Sequence, residues 1–109
     1  MPYETLILER REGIAYLTLN RPQVFNAISE RMIQEMKQAI EEIQADPGMG
    51  VVIISGAGKA FQSGADIQEL SRMTPLQILR WNQGIVENLD ALEKMRPPVI
   101  AAINGYALG

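Results

Sequence analysis

The run Val51-Val52-Ile53-Ile54-Ser55 constrains the fold more than any other stretch. It is continuous, whereas a strand with one wet face alternates apolar and polar residues. A continuous β-branched run suits a strand covered on both faces, as in parallel sheets. A second such run, Val99 to Ile103, follows after a long helical pattern. Strand–helix–strand crossovers imply parallel strands joined with right-handed connections. The expected class is therefore α/β.

The remaining elements fit around those strands. Tyr3 to Leu8 reads as a short strand, Arg10 to Gly13 as a polar turn, and Ile14 to Leu19 as a second strand paired with the first. Asn20-Arg21-Pro22 breaks the ladder, because proline cannot continue it. A helix is predicted from about Ser29, a plausible N-cap, to Ala45. Met32, Ile33, Met36, Ala39, Ile40 and Ile43 share its apolar face. Asp46-Pro47-Gly48 ends it. Gly56 to Gly64 reads as a loop, and a short helix begins near Ala65 or Asp66. Thr74-Pro75 opens a longer helix, with proline at its first position. Its stripe is Ile78, Trp81, Ile85, Leu89 and Leu92, with Trp81 read as core or interface, and Gly84 weakens its interior by ~1 kcal/mol. Pro97-Pro98 ends that helix, and Asn104-Gly105 begins another loop. Residues 1–109 read as part of one domain. The final segment, VIAAINGYALG, is a strand and turn with no helix after it, which is expected to leave one face of the last strand uncovered.

Composition narrows the chemistry. Cysteine and histidine are absent, so thiolate catalysis, zinc–thiolate sites and imidazole bases are excluded and no metal site is expected. The net charge is -3 with both signs interspersed, so no nucleic-acid footprint is visible. The N-terminus lacks an apolar run of signal-peptide length. No stretch approaches the ~18 apolar residues of a membrane span. The expectation is a soluble cytoplasmic protein.

Two phosphate-loop readings fail. A Walker A loop needs glycine where Ile53 stands and Ser or Thr where Ala60 stands. A dinucleotide fingerprint starting at Gly56 and Gly58 needs a third glycine where Phe61 stands. The segment from Lys59 to Leu70 is more informative. Small residues at Ser63, Gly64 and Ala65 let a ligand approach the backbone closely. Unpaired N–H groups at a helix start favour negative charge and can stabilise an oxyanion. The same residues also fit a plain turn with Asp66 as a helix cap.

This segment, Ala60-Phe61-Gln62-Ser63-Gly64-Ala65-Asp66-Ile67-Gln68-Glu69-Leu70, resembles the first oxyanion-hole segment of the crotonase superfamily, the enoyl-CoA hydratase/isomerase family. Three other segments resemble it in the same order: the hairpin leading into Leu19-Asn20-Arg21-Pro22, then Asn26-Ala27, then Pro97 to Gly109. The resemblance spans nearly the whole chain. It implies the N-terminal part of a crotonase-like spiral of β-β-α units.

It also implies a mechanism. Such enzymes bind acyl-CoA thioesters and hold the enolate-like charge on two backbone N–H groups. Carried over, Ala65 supplies the first N–H. Val24, Ser63, Ala65, Asp66, Ile67 and Gln68 line the CoA path, with neutral Gln68 where many hydratases carry lysine. The second donor is the glycine following the position matched by Gly109, and both hydratase glutamates lie later still. Asp66 and Glu69 are therefore read as cap and solvent-facing charges, and Tyr106 as packing. No separate cofactor is implied, since CoA belongs to the substrate. A homotrimer, or a hexamer built as a dimer of trimers, is implied for the assembled enzyme. An isomerase, another acyl-CoA enzyme, or a noncatalytic CoA-binding or assembly subunit stand as alternatives.

Overall fold

The computed structural model describes residues 2–108. Strands β1 (Leu6–Arg11) and β2 (Ile14–Leu19) form an antiparallel hairpin. The first strand ends later than Tyr3–Leu8 predicts, and two local causes explain it. Glu12 and Gly13 both have positive φ, 53° and 80°, so a tight two-residue turn carries pairing through Arg11 and Ile14. Residues before Leu6 are held elsewhere: the Glu4 and Thr5 N–H groups donate to the Glu35 carboxylate, and Tyr3 Oη donates to Glu42.

Helix α1 (Glu30–Gln44) starts at the predicted cap, where Ser29 Oγ accepts from the Met32 N–H at 3.1 Å. Strand β3 (Val51–Gly56) pairs in parallel with β2 and with β5 (Val99–Ala101), giving the sheet order β1-β2-β3-β5. Ala15, Leu17, Leu19, Val52 and Ile54 lie on one sheet face and pack with Leu6 against Met32, Ala39 and Ile43 of α1. This buried layer is the core, and its apolar burial is the main stabilising term. β3 is not covered on both faces as its sequence suggests, because Val51 and Ile53 are only half-buried. β5 is shorter than the predicted Val99 to Ile103: it is the sheet edge, and Ile100 and Ile103 are 52% and 62% exposed.

The predicted loop from Gly56 to Gly64 contains a strand, β4 (Ala60–Gln62), paired in parallel with β6 (Tyr106–Ala107). Helix α2 (Ile67–Leu70) is one turn capped by Asp66. Helix α3 (Pro75–Glu93) opens on a reciprocal capping box between Thr74 and Gln77. Along its predicted stripe Trp81, Ile85 and Leu92 are half-buried, while Ile78 and Leu89 are 39% and 60% exposed. The buried residue on α3 is Asn88, whose Nδ2 donates to the Ile33 carbonyl of α1 at 2.9 Å. A Cβ at Gly84 would lie 2.7 Å from Ile33 Cγ2, so glycine lets the two helices approach at this point. None of the described helices is long and apolar enough to cross a membrane.

Candidate functional site

Two loops converge where β2 and β3 end. The first begins at Asn20 and passes through a 3-10 turn at Pro22–Val24 into Phe25 and Asn26, both with positive φ. Asparagine tolerates that region better than most residues. Here it is also fully buried: Asn26 Oδ1 accepts from the Arg21 N–H, and Nδ2 donates to the Ala57 and Ala60 carbonyls. The second loop, running from Gly56, is clamped from the other side by Asn104, which accepts from the Gly56 N–H and donates to the Gly56 carbonyl. The packing leaves no room for side chains here. A Cβ at Gly56 would meet the Ala60 carbonyl oxygen at 2.3 Å, and one at Gly105 the Lys59 carbonyl oxygen at 2.1 Å.

Beyond this clamp the two loops pair. The Ser63 N–H donates to the Phe25 carbonyl at 3.0 Å, the Ile28 N–H to the Gly64 carbonyl at 2.8 Å, and the Asp66 N–H to the Ile28 carbonyl at 3.0 Å. Ala65 is the middle residue of this parallel bridge. A trans peptide is planar, so its N–H and C=O point in opposite directions. The Gly64 carbonyl faces Ile28, and the Ala65 N–H of the same peptide therefore points away from Ile28. Among the described residues no hydrogen-bond acceptor is assigned to it.

Asp66 is fixed from two sides. Its Oδ1 accepts from the Glu69 N–H at 3.1 Å, and its Oδ2 pairs with Arg21 Nη2 at 3.1 Å. Burial pushes its carboxyl up, but the Glu69 amide and the Arg21 guanidinium outweigh that and hold it below the usual carboxylate range. Asp66 is thus the cap that the sequence suggests. Glu69 is not simply solvent-facing: it is half-buried and accepts from the Glu30 N–H at 2.6 Å, fastening α2 to the start of α1. Tyr106 is 60% exposed and meets the Phe25 ring edge-on, so it packs less than expected.

Two cavities flank Ala65 and Asp66. An apolar one of about 390 Å³ lies between α1, α3 and the sheet, with Met32, Met36, Phe61, Ala65, Trp81 and Ile85 in its wall. A polar one of about 470 Å³ is lined by Asp66, Gln68, Glu69, Arg72, Gln77 and Arg80 among others. The predicted residues are therefore divided. Ala65 borders the first cavity, Asp66 and Gln68 the second. Val24 and Ser63 sit together apart from both, with Ser63 Oγ donating to the Val24 carbonyl at 3.4 Å. Ile67 is 78% exposed on α2. Gly109, the last residue of the family-like segment, lies outside the described residues. Sequence reasoning gave no role to Arg21, Arg72 or Arg80. Arg21 stood inside a motif, but its long-range partner Asp66 could not be read from spacing.

A hairpin, a helix, parallel strands and a glycine-tight loop that presents an amide beside a cavity define a crotonase-like α/β domain. The structure of enoyl-CoA hydratase from Bacillus anthracis superposes with a TM-score of 0.90 at 31% identity, over 94% of this chain and 40% of that one. An enoyl-CoA hydratase/carnithine racemase from Magnetospirillum magneticum gives 0.86 at 39% identity, over 94% and 39%. In sequence, crotonyl-CoA hydratase of Syntrophomonas wolfei is 42% identical over 113 aligned residues, covering 100% of this chain and 42% of the relative. The short-chain-enoyl-CoA hydratase of Clostridium acetobutylicum is 40% identical with the same coverage. The profile of the enoyl-CoA hydratase/isomerase family matches residues 9–109, and the chain belongs to that family. It spans 42% of the length of these curated relatives.

Proposed function

We propose that this chain forms the thioester-binding and carbonyl-polarising part of an enoyl-CoA hydratase-type enzyme. The observation that carries the reading is the Ala65 N–H, turned away from its bridge partner and, among the described residues, without a hydrogen-bond acceptor. A substrate carbonyl placed there gains a fixed donor where negative charge develops, which lowers the barrier without reorganisation. The CoA moiety runs past Val24, Ser63, Ile67 and Gln68, on the exposed side of the two loops. The substrate is an acyl-CoA thioester, and the assembled enzyme is a trimer or a dimer of trimers.

In a hydratase-type reaction, proton transfer needs an acid–base side chain within reach of the reacting atoms, and the resemblance assigns that work to carboxylates. The carboxylates that follow Ala65 in the same segment are engaged, Asp66 by Arg21 and the Glu69 amide, and Glu69 by the Glu30 amide. These 109 residues alone are therefore expected to bind crotonyl-CoA without hydrating it, and measurable turnover would contradict that division of labour. The noncatalytic reading, a CoA-binding or assembly subunit, shares this expectation and differs at Ala65.

Ala65→Pro removes the donor itself, since proline has no N–H. Among the described residues it breaks no hydrogen bond. In the protein as its gene encodes it, the proline variant is expected to lose roughly 10²–10³ in kcat, with CoA binding and melting temperature much less affected. Ala65→Gly keeps the donor but loosens the loop, and should fall between the two. A folded proline variant with parental kcat would remove Ala65 from the mechanism.

A further inference from the structure

A chain of hydrogen bonds runs from a guanidinium to the Ala65 amide. Arg21 Nη1 donates to the Ala27 carbonyl at 2.7 Å. On the other side of that peptide, the Ile28 N–H donates to the Gly64 carbonyl at 2.8 Å. On the other side of the next peptide stands the Ala65 N–H. Two planar trans peptides thus connect Arg21 to the amide assigned to the thioester carbonyl.

Arg21 has the geometry to control that amide. Its other terminal nitrogen holds Asp66 Oδ2 at 3.1 Å, so one planar side chain grips residues on both strands of the Ile28–Ala65 bridge. Its own main chain is fixed, with the N–H donating to Asn26 Oδ1 at 2.8 Å and the carbonyl accepting from the Asn26 N–H at 2.9 Å. The Arg21 side chain is 18% exposed, so water competes weakly for its guanidinium. The sense of the chain also matters. A cation donating to the first carbonyl makes the next N–H a better donor, and the effect passes along in the same direction.

We infer that Arg21 is a positioning residue for the oxyanion donor: through the Ala27–Ile28 and Gly64–Ala65 peptides it aims, and through its charge strengthens, the Ala65 N–H. The inference rests on the proposed role of Ala65. It assigns no substrate contact to Arg21.

The test reads the carbonyl directly, in the protein as its gene encodes it. Butyryl-CoA has no double bond to hydrate, so it remains bound unchanged. With its thioester carbonyl labelled with carbon-13, infrared difference spectra report the shift of the carbonyl band between free and bound states. The parent should show a lowered, narrow band, and Ala65→Pro should lose most of that shift. Arg21→Met should lose a large part of it and broaden the band, with kcat on crotonyl-CoA down about 10- to 100-fold and the Kd of butyryl-CoA changed far less. Arg21→Lys keeps the charge but not the fork that spans two acceptors, and should recover only part of the shift. Asp66→Asn keeps a helix-capping oxygen while loosening one of the two anchors, so it should lose less than Arg21→Met. It carries the test if the Arg21 variants do not fold. A parental band in folded Arg21→Met, or in Asp66→Asn where that variant is the one available, overturns the inference while the Ala65→Pro result leaves the parent reading standing. A parental band in Ala65→Pro overturns both.

Discussion

The hairpin–α1 half and the α3–β5–β6 half are built from similar amounts of apolar sequence and finish very differently. In the first, Leu6, Leu17, Leu19, Met32 and Ile43 are all at most 2% exposed. Its polar groups are matched too: buried Glu35 accepts from the Glu4 and Thr5 amides and the Thr5 hydroxyl, and pairs with Arg31 at 3.2 Å. In the second, Leu79, Val86, Leu89, Ile103 and Leu108 are each more than half exposed. Large apolar side chains left this open gain nothing from burial within the described residues. The first half is covered by its own residues together with β3, while the second carries large apolar side chains that nothing among the described residues covers.

Substitutions can break this contrast. Leu17→Ala, in the centre of the buried layer, should cost about 2–5 kcal/mol through lost burial and a residual cavity, read as a large drop in melting temperature. Asn26→Ala should cost about 1–3 kcal/mol, because it strands buried carbonyl and amide partners, and it should also disturb the loop that carries Ala65. For Glu35 the readout is acid sensitivity. Burial pushes its carboxyl up, but the Thr5 hydroxyl, the Glu4 and Thr5 amides and Arg31 together lower it below the ordinary glutamate value. Its stabilisation is thus complete above the unfolded glutamate pKa of about 4.3 and fades as pH falls through the lower folded value. Glu35→Gln should flatten the stability–pH curve in that acid window and leave the curve above it parallel to the parent. The smallest stability effect is expected for Leu89→Ser, within about 0.5 kcal/mol. The 109-residue chain is expected to associate irregularly through its open half, and Leu89→Ser should reduce that association in sedimentation. A monodisperse parent chain would show that the open half is not sticky and would remove the contrast.

Local signals carried much of the fold. The bounds of β2 follow from its β-forming residues, the start of α1 from Ser29, and the start of α3 from Thr74-Pro75. What escaped depends on distant partners. β4 has three residues, too few for a period, and exists because β6 lies beside it. β1 shifted toward Arg11 because Glu35 captures the amides that precede it. Which α3 residues turn inward stayed open, because Gly84 and Asn88 set the face that meets α1, a choice that a run of apolar residues cannot reveal. At the site, resemblance pointed to Ala65, but no spacing rule could have linked it to Arg21.

The order of strands in the main sheet also fixes when each contact can form. β1 and β2 are joined by a two-residue turn, so their pairing closes a minimal loop and loses little chain entropy. β3 must find β2 across the whole of α1, and β5 must find β3 across β4, α2 and α3. Such closures are slower. The hairpin is therefore available as an early template, and its free edge is the one that β3 joins. Gly13→Ala strains a residue at φ 80° in the template turn and should act chiefly on the folding rate. Val99→Ala, in the last strand to dock, should act chiefly on unfolding, and stopped-flow kinetics would separate the two.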